Sequence, residues 1–229
     1  MIDMQPVYLS IKVAGAALVF VAILGTAAAL IMHRCSFPGK AVIEALFTMP
    51  LVLPPVVTGF ILLLLIGKQG PIGSFLSEYF DIQIIFTPLA AVLAAIVVAF
   101  PMMYQSAKAA FKTIDPNLED VARTLGASEG KIVATVTLPL ALPGLAAGAV
   151  LSFARALGEF GATIMVAGSI VGKTQTIPLA IYFAAESNDL YTAGGYVLII
   201  AIITFAAVLW VNRWHAKTDL ASRKDRVIC

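Results

Sequence analysis

The chain has 229 residues, of which 60% are hydrophobic and 12% charged, with a formal net charge of +2. A soluble domain keeps more of its surface charged, so this balance excludes one and places the chain in lipid. It also argues against nucleic-acid binding, because the basic residues form no patch interleaved with aromatics.

A helix needs about twenty apolar residues to cross the hydrocarbon core, where every backbone polar group must be satisfied internally. Taken in chain order, residues 13–32, 45–67, 82–107, 132–154 and 190–212 are uncharged and long enough. The first is about twice as long as the core of a secretory signal and other apolar segments follow it, so it is expected to stay as an uncleaved span. Residues 160–172 and 174–185 are apolar but short, the lengths of re-entrant or packed helices. The expectation is an all-α polytopic bundle of five spans forming a single domain, with a sixth crossing near Thr174 left open.

Cytoplasmic loops retain lysine and arginine. Arg34 and Lys40 flank the first connection, Lys108, Lys112, Arg123 and Lys131 the third, and Arg213, Lys217, Arg223, Lys224 and Arg226 fill the tail. The alternate connections carry Lys68 and Lys173 among Glu78, Asp81, Glu186 and Asp189. Five spans then put the N-terminus outside and the C-terminus in the cytoplasm of an inner (plasma) membrane protein. A sixth would put the basic tail on the wrong face. Cys35 and Cys229 fall on the reducing side and suggest no disulfide framework.

Within the second stretch, Pro54 and Pro55 interrupt the hydrogen-bond ladder, with Thr58 and Gly59 one turn further on; a kink is expected there. Its exposed backbone must face protein or water, as lining of a translocation path or as simple helix packing. Pro101 admits the same two readings. Pro50 to Pro54 and Pro139 to Pro143 share a Pro-Leu-x-Leu-Pro pattern, a duplicated unit or chance.

The long polar connection spans about 108–131, and the most informative stretch runs from Asp115 to Pro139. Asp115 can cap a helix that Pro116 begins, Gly126 suits the left-handed residue that ends it, and Ser128 can cap the next. Leu118, Val121, Ala122 and Leu125 are spaced to form an apolar ridge, with Glu119, Asp120 and Arg123 at its rim. The bland reading is an amphipathic connector lying on the headgroups.

At these residues the chain resembles a family. Asp120, Val121, Ala122, then Gly126, Val136, Leu138 and Pro139 are similar to the Glu-Ala-Ala-x-x-x-Gly-x9-Ile-x-Leu-Pro loop of ABC importer permeases, with Asp for Glu and Val for the first Ala and for Ile. The resemblance implies cytoplasmic coupling helices docked on a separate ATPase subunit. No glycine-rich loop ending in Lys and Ser or Thr is present, so no cofactor is expected on this chain and ATP would be used by the partner.

Phe37 to Lys40, the Pro-Leu-Val-Leu-Pro-Pro-Val-Val run before Thr58, and residues 154–163, reading Ala-Arg-Ala-Leu-Gly-Glu-Phe-Gly-Ala-Thr, resemble molybdate permease subunits, with sulfate, thiosulfate or tungstate permeases as alternatives. The resemblance runs from the first span to about Tyr182. It implies two permease copies, two ATPase copies and an external oxyanion-binding protein that holds most of the specificity and docks near 189–195.

Arg155 and Glu159 lie one turn apart near the outer end of the fourth span, open to three readings: a snorkelling interface pair, a structural latch, or a transient anion contact. With Pro54, Pro55, Thr58, Gly59, Gly158 and Gly161 they form the candidate path or gate. Gly144 and Gly148 have the spacing of close helix contacts, expected at a dimer interface or beside the path. A membrane-embedded enzyme or a secondary transporter would need clustered ionisable groups within the spans, and His33 and His215 are far apart in the sequence.

Overall fold

The structure is a computed structural model that describes residues 2–225. It is built of helices, and no strand occurs among the described residues. Among the described residues, four helices are long and apolar enough to cross a membrane. They are α1 (Gln5–Arg34), α5 (Pro88–Lys112), α8 (Leu138–Leu157) with the short segments leading into it, and α11 (Leu190–Asp225), whose apolar part ends at Trp210.

The second expected span departs from its sequence reading. Helix α2 (Lys40–Val52) stops, α3 (Pro55–Ile66) starts three residues later, and the two are bent by 116°. This is a full break where only a kink was expected. Pro54 forces Leu53 into extended backbone, and neither Pro54 nor Pro55 can donate a helical hydrogen bond. Each arm is roughly 20 Å long, short of the hydrocarbon core of about 30 Å, so the pair counts as a fifth span only as one broken element.

The third span begins later than expected. Asp81 and Phe86 take left-handed backbone, and the helix starts at Pro88, where the Thr87 hydroxyl accepts from the Ala90 amide. Ahead of it lies α4 (Pro71–Phe80), which the sequence reading did not single out.

Helices α1, α5 and α8 form the core. Ala90, Ala91, Ala94, Ala95 and Ala99 make one buried face of α5, against which Ala14, Ala17 and Val21 of α1 pack. Small residues let these backbones approach closely, which is how helices associate when lipid removes most of the hydrophobic drive. A Cβ on Gly144 would meet the Ala110 side chain at 2.6 Å, and one on Gly148 would meet Ser106 at 2.6 Å. Both glycines therefore pack α8 closely on α5 within one chain, where a dimer-interface contact had been one of the two expectations.

After α8, α9 (Gly161–Ala167) tucks against α3 and α5, and α10 (Ile177–Glu186) packs between α1 and α11. At about 15 Å, α10 is too short to be a sixth crossing. The Ile177 amide donates to Ser10 Oγ (2.7 Å) and the Tyr196 hydroxyl to the Asp3 carbonyl (2.8 Å), tying α10 and the start of α11 to the start of α1. The two Pro-Leu-x-Leu-Pro segments differ in structure: one ends α2 at the break, the other lies inside α8. Cys229 and Arg226 lie outside the described residues.

Candidate functional site

At the end of the bundle opposite α10 lies helix α6 (Pro116–Thr124). Asp115 Oδ1 accepts from the Asn117 amide (3.0 Å), and Pro116 fills the first helical position, where its missing amide costs nothing. The helix ends in a Schellman turn: the Ala127 amide donates to the Ala122 carbonyl (3.1 Å) and the Gly126 amide to the Arg123 carbonyl (3.0 Å). Gly126 sits at φ +82° with open space where a side chain would project, so it is conformation that requires glycine here.

This turn leads into α7 (Glu129–Ile132), one π-helical turn (Val133–Thr137) and then α8. Ser128 occupies the cap position of α7, but it is its carbonyl that accepts from Ile132; its hydroxyl makes no cap bond.

The faces of α6 differ sharply. Leu118, Val121 and Leu125 are exposed, Leu125 by 82%, whereas Ala122 is half-buried. Glu119, expected at the rim, turns partly inward, whereas Arg123 and Asp120 stay exposed there. Glu119 accepts from Thr137 Oγ1 and from Arg34 Nη2 (3.3 Å), the last residue of α1. Arg123 binds Glu129 through Nε (2.7 Å) and Nη2 (3.2 Å) and also holds Asp120. The Glu129 carboxylate raises the Arg123 pKa above its ordinary value. Arg34 Nη1 completes the network by donating to Glu129 Oε2 (2.8 Å).

The candidate path or gate residues gather at the junction of α3, α8 and α9. A Cβ on Gly59 would lie 2.6 Å from Ala162 Cα, and one on Gly161 would lie 3.0 Å from Pro55 Cβ and from the Val56 amide nitrogen. The restart of α3 after Pro54 and Pro55 thus brings its first turns into backbone-to-backbone contact with α9. Thr58 is buried there with its hydroxyl unpartnered among the described residues. Gly158 ends α8, and a Cβ there would meet nothing closer than 3.6 Å.

Glu159 is turned inward and does not snorkel: it is 2% exposed, accepts from Arg155 Nη1 (2.7 Å), and with its other oxygen accepts from the Ala162 amide (2.7 Å) in the first turn of α9.

A family model described as "Binding-protein-dependent transport system inner membrane component" matches residues 21–221. The chain belongs to this family. Among members of this transport-permease family, a Bacillus subtilis protein named for molybdenum transport, YvgM, is 49% identical, the match covering 91% of this chain and 92% of that one. The Escherichia coli molybdenum transport system permease protein ModB is 42% identical, with 94% of each chain covered. A Synechocystis sulfate transport system permease protein, CysW, is 36% identical over 82% of this chain and 67% of its own.

Solved structures share the fold. A bacterial ABC transporter that imports alginate superposes with a TM-score of 0.74 at 16% identity, covering 93% of this chain and 79% of that one. The MetNI methionine ABC transporter gives a TM-score of 0.65 at 16% identity, covering 92% and 93%. The chain is a multi-pass membrane protein of the permease type.

Of the residues that carry the loop resemblance, Asp120, Ala122 and Gly126 lie on α6 and its terminal turn, while Leu138 and Pro139 open α8 beyond the π-helical turn. Sequence reasoning had Glu119 and Arg123 as sites but missed their partners Arg34, Glu129 and Thr137. Arg34 and Glu129 lie 95 residues apart in sequence, and no local signal joins them. His33 packs its ring against Phe111, with centroids 6.1 Å apart. The side chain of His215 lies outside the described residues. At the opposite end, Asp189 caps α11 by accepting from the Thr192 amide (3.1 Å), and its bonds to Thr192 hold its pKa below the ordinary carboxylate value.

Proposed function

We propose that this chain is the membrane-spanning subunit of an ATP-driven importer for molybdate, working as a symmetric homodimer with two copies of a separate ATPase and an external oxyanion-binding protein. The observation that carries the reading is the outward face of α6. Leu118, Val121 and Leu125 form an exposed apolar ridge on a helix that is closed at both ends and tied to the bundle by ion pairs. A ridge held this firmly suits insertion into a groove of another protein. Asp120, Ala122 and Gly126 shape the docking helix, and Leu138 and Pro139 pass its movement to α8.

Molybdate is favoured because the relatives named for molybdenum transport are 49% and 42% identical, against 36% for the sulfate relative. Orientation follows from charge. Arg34, Lys40, Lys108, Lys112, Arg123 and Lys131 lie at the α6 end, which is therefore cytoplasmic, with the N-terminus outside and the C-terminus inside.

The unburied apolar surface of α2 suits an oligomer with its path on a two-fold axis. Helix α2 has no buried residue, and Val42, Leu46 and Val52 stand exposed along it. The α3–α9 contact would gate that path, with Glu159 and Arg155 as the latch that keeps α9 in place. ATP shifts the equilibrium between inward-facing and outward-facing states only through contacts that differ between them, and α6 is where those contacts are made.

The test is ATP hydrolysis and anion uptake in liposomes holding the chain, its ATPase and its binding protein. Molybdate is expected to stimulate both at concentrations where sulfate does not. Equal stimulation by sulfate would replace the substrate, and hydrolysis indifferent to any oxyanion would refute the importer reading.

A further inference from the structure

Three helix ends meet at one guanidinium. Arg34 closes α1, where the carbonyl end of the helix favours a cation, while Glu119 and Glu129 lie in the first turns of α6 and α7, where the amide end favours an anion. Arg34 reaches Glu129 at 2.8 Å and Glu119 at 3.3 Å. Arg34 and Glu119 are only 24% and 18% exposed in their side chains, so this pair is better shielded than an ordinary surface ion pair.

Glu119 is fixed from its other side by Thr137, which is 1% exposed and belongs to the π-helical turn. Such turns are uncommon and recur at functional sites. The wider turn carries the chain from α7 into α8 while presenting Thr137 to Glu119. Arg123, bound to Glu129 by two nitrogens, closes the circuit back to α6.

We propose that Arg34 is a positioning residue for energy coupling: by clamping Glu119 and Glu129 together it makes the end of α1, the docking helix α6 and the base of α8 one rigid body, so that α1 as well as α8 carries the stroke into the bundle. The physical reason is geometric. Beyond the Arg123–Glu129 and Glu119–Thr137 bonds, helix α6 is joined to α5 and α7 by short turns, and a helix that could swivel on those turns would dissipate the movement of its partner. Two carboxylates held by one planar fork remove that freedom, and α1 packs along α5 and α8, so the displacement reaches the core.

This inference rests on the reading of α6 as the ATPase-docking helix. The experiment compares Arg34→Gln and Arg34→Lys with the wild-type chain in the reconstituted complex with ATPase and binding protein, reading three quantities: ATPase co-purified, hydrolysis without anion, and molybdate imported per ATP hydrolysed. Arg34→Gln is expected to keep the first two and to lower the third about tenfold, the scale of an ordinary coupling energy. Arg34→Lys recovers only part of the ratio, because an ammonium lacks the planar fork that holds two carboxylates at once. Glu129→Gln, which spares the Glu119 arm, gives a smaller loss and stands in if Arg34→Gln fails to accumulate in the membrane.

An unchanged import-to-hydrolysis ratio in these variants overturns the proposal. So does a loss of co-purified ATPase in step with uptake, which would make Arg34 part of the docking surface. Failure of the docking reading is separately visible: Leu125→Asp would then leave ATPase association intact.

Discussion

The two ends of the bundle are held by opposite physics. At the α6 end, ion pairs among Arg34, Glu119, Arg123 and Glu129 fix the backbone while apolar side chains stand in the open. At the α3–α9 contact the backbones touch directly through Gly59, Gly161 and Ala162, and the charge of Glu159 is buried behind them. The first arrangement suits a handle, rigid and offered to a partner. The second suits a gate, because surfaces closed by shape and by few bonds can separate without breaking a network.

The largest effect that would break this contrast is expected at Glu159. Glu159→Ala leaves Arg155 without its partner and the first turn of α9 without its cap, and should destabilise the chain by about 3–5 kcal/mol, the scale for breaking a buried pair. A thermal melt in detergent checks this; a shift within error would place the latch elsewhere. Next comes Gly59→Leu, whose side chain would drive into the Ala162 backbone, with an expected cost of about 1–3 kcal/mol and a loosened α9 seen by proteolysis.

At the other end, Gly126→Val meets no steric clash, only unfavourable left-handed backbone. Its cost should be about 1–2 kcal/mol, measured in the same melt. Salt gives the smallest effect. Raising ionic strength should speed amide exchange in α6 while leaving α9 unchanged, because exposed ion pairs are screened and close-packed backbone is not. Equal responses would erase the distinction between handle and gate.

The α6 end was more legible in the sequence than the α3–α9 contact, for a physical reason. Asp115, Pro116 and Gly126 act on backbone within one or two turns, so the start and stop of α6 could be read from neighbours alone. Pro54 and Pro55 announced an interruption, but neither the 116° bend between α2 and α3 nor the packing of α3 on α9 can be read from a local pattern. The clamp on α6 was invisible because Arg34 lies 85 and 95 residues from its two carboxylates. Helix α4 was missed although its apolar residues Ile72, Phe75, Leu76, Tyr79 and Phe80 follow helical spacing. Gly144 and Gly148 were recognised as contact residues, but which helix they face is set by tertiary structure.

The most direct test of the account is whether the exposed ridge of α6 holds the ATPase. The measurement is the amount of ATPase subunit that co-purifies with the chain carrying Leu118→Ser and Leu125→Ser, compared with wild type at matched membrane levels and matched melting temperature. These side chains are already open to solvent, so stability should be kept while ATPase recovery drops at least about tenfold, as for truncated hot-spot anchors. Full recovery of the ATPase on a chain stripped of that ridge would contradict the account.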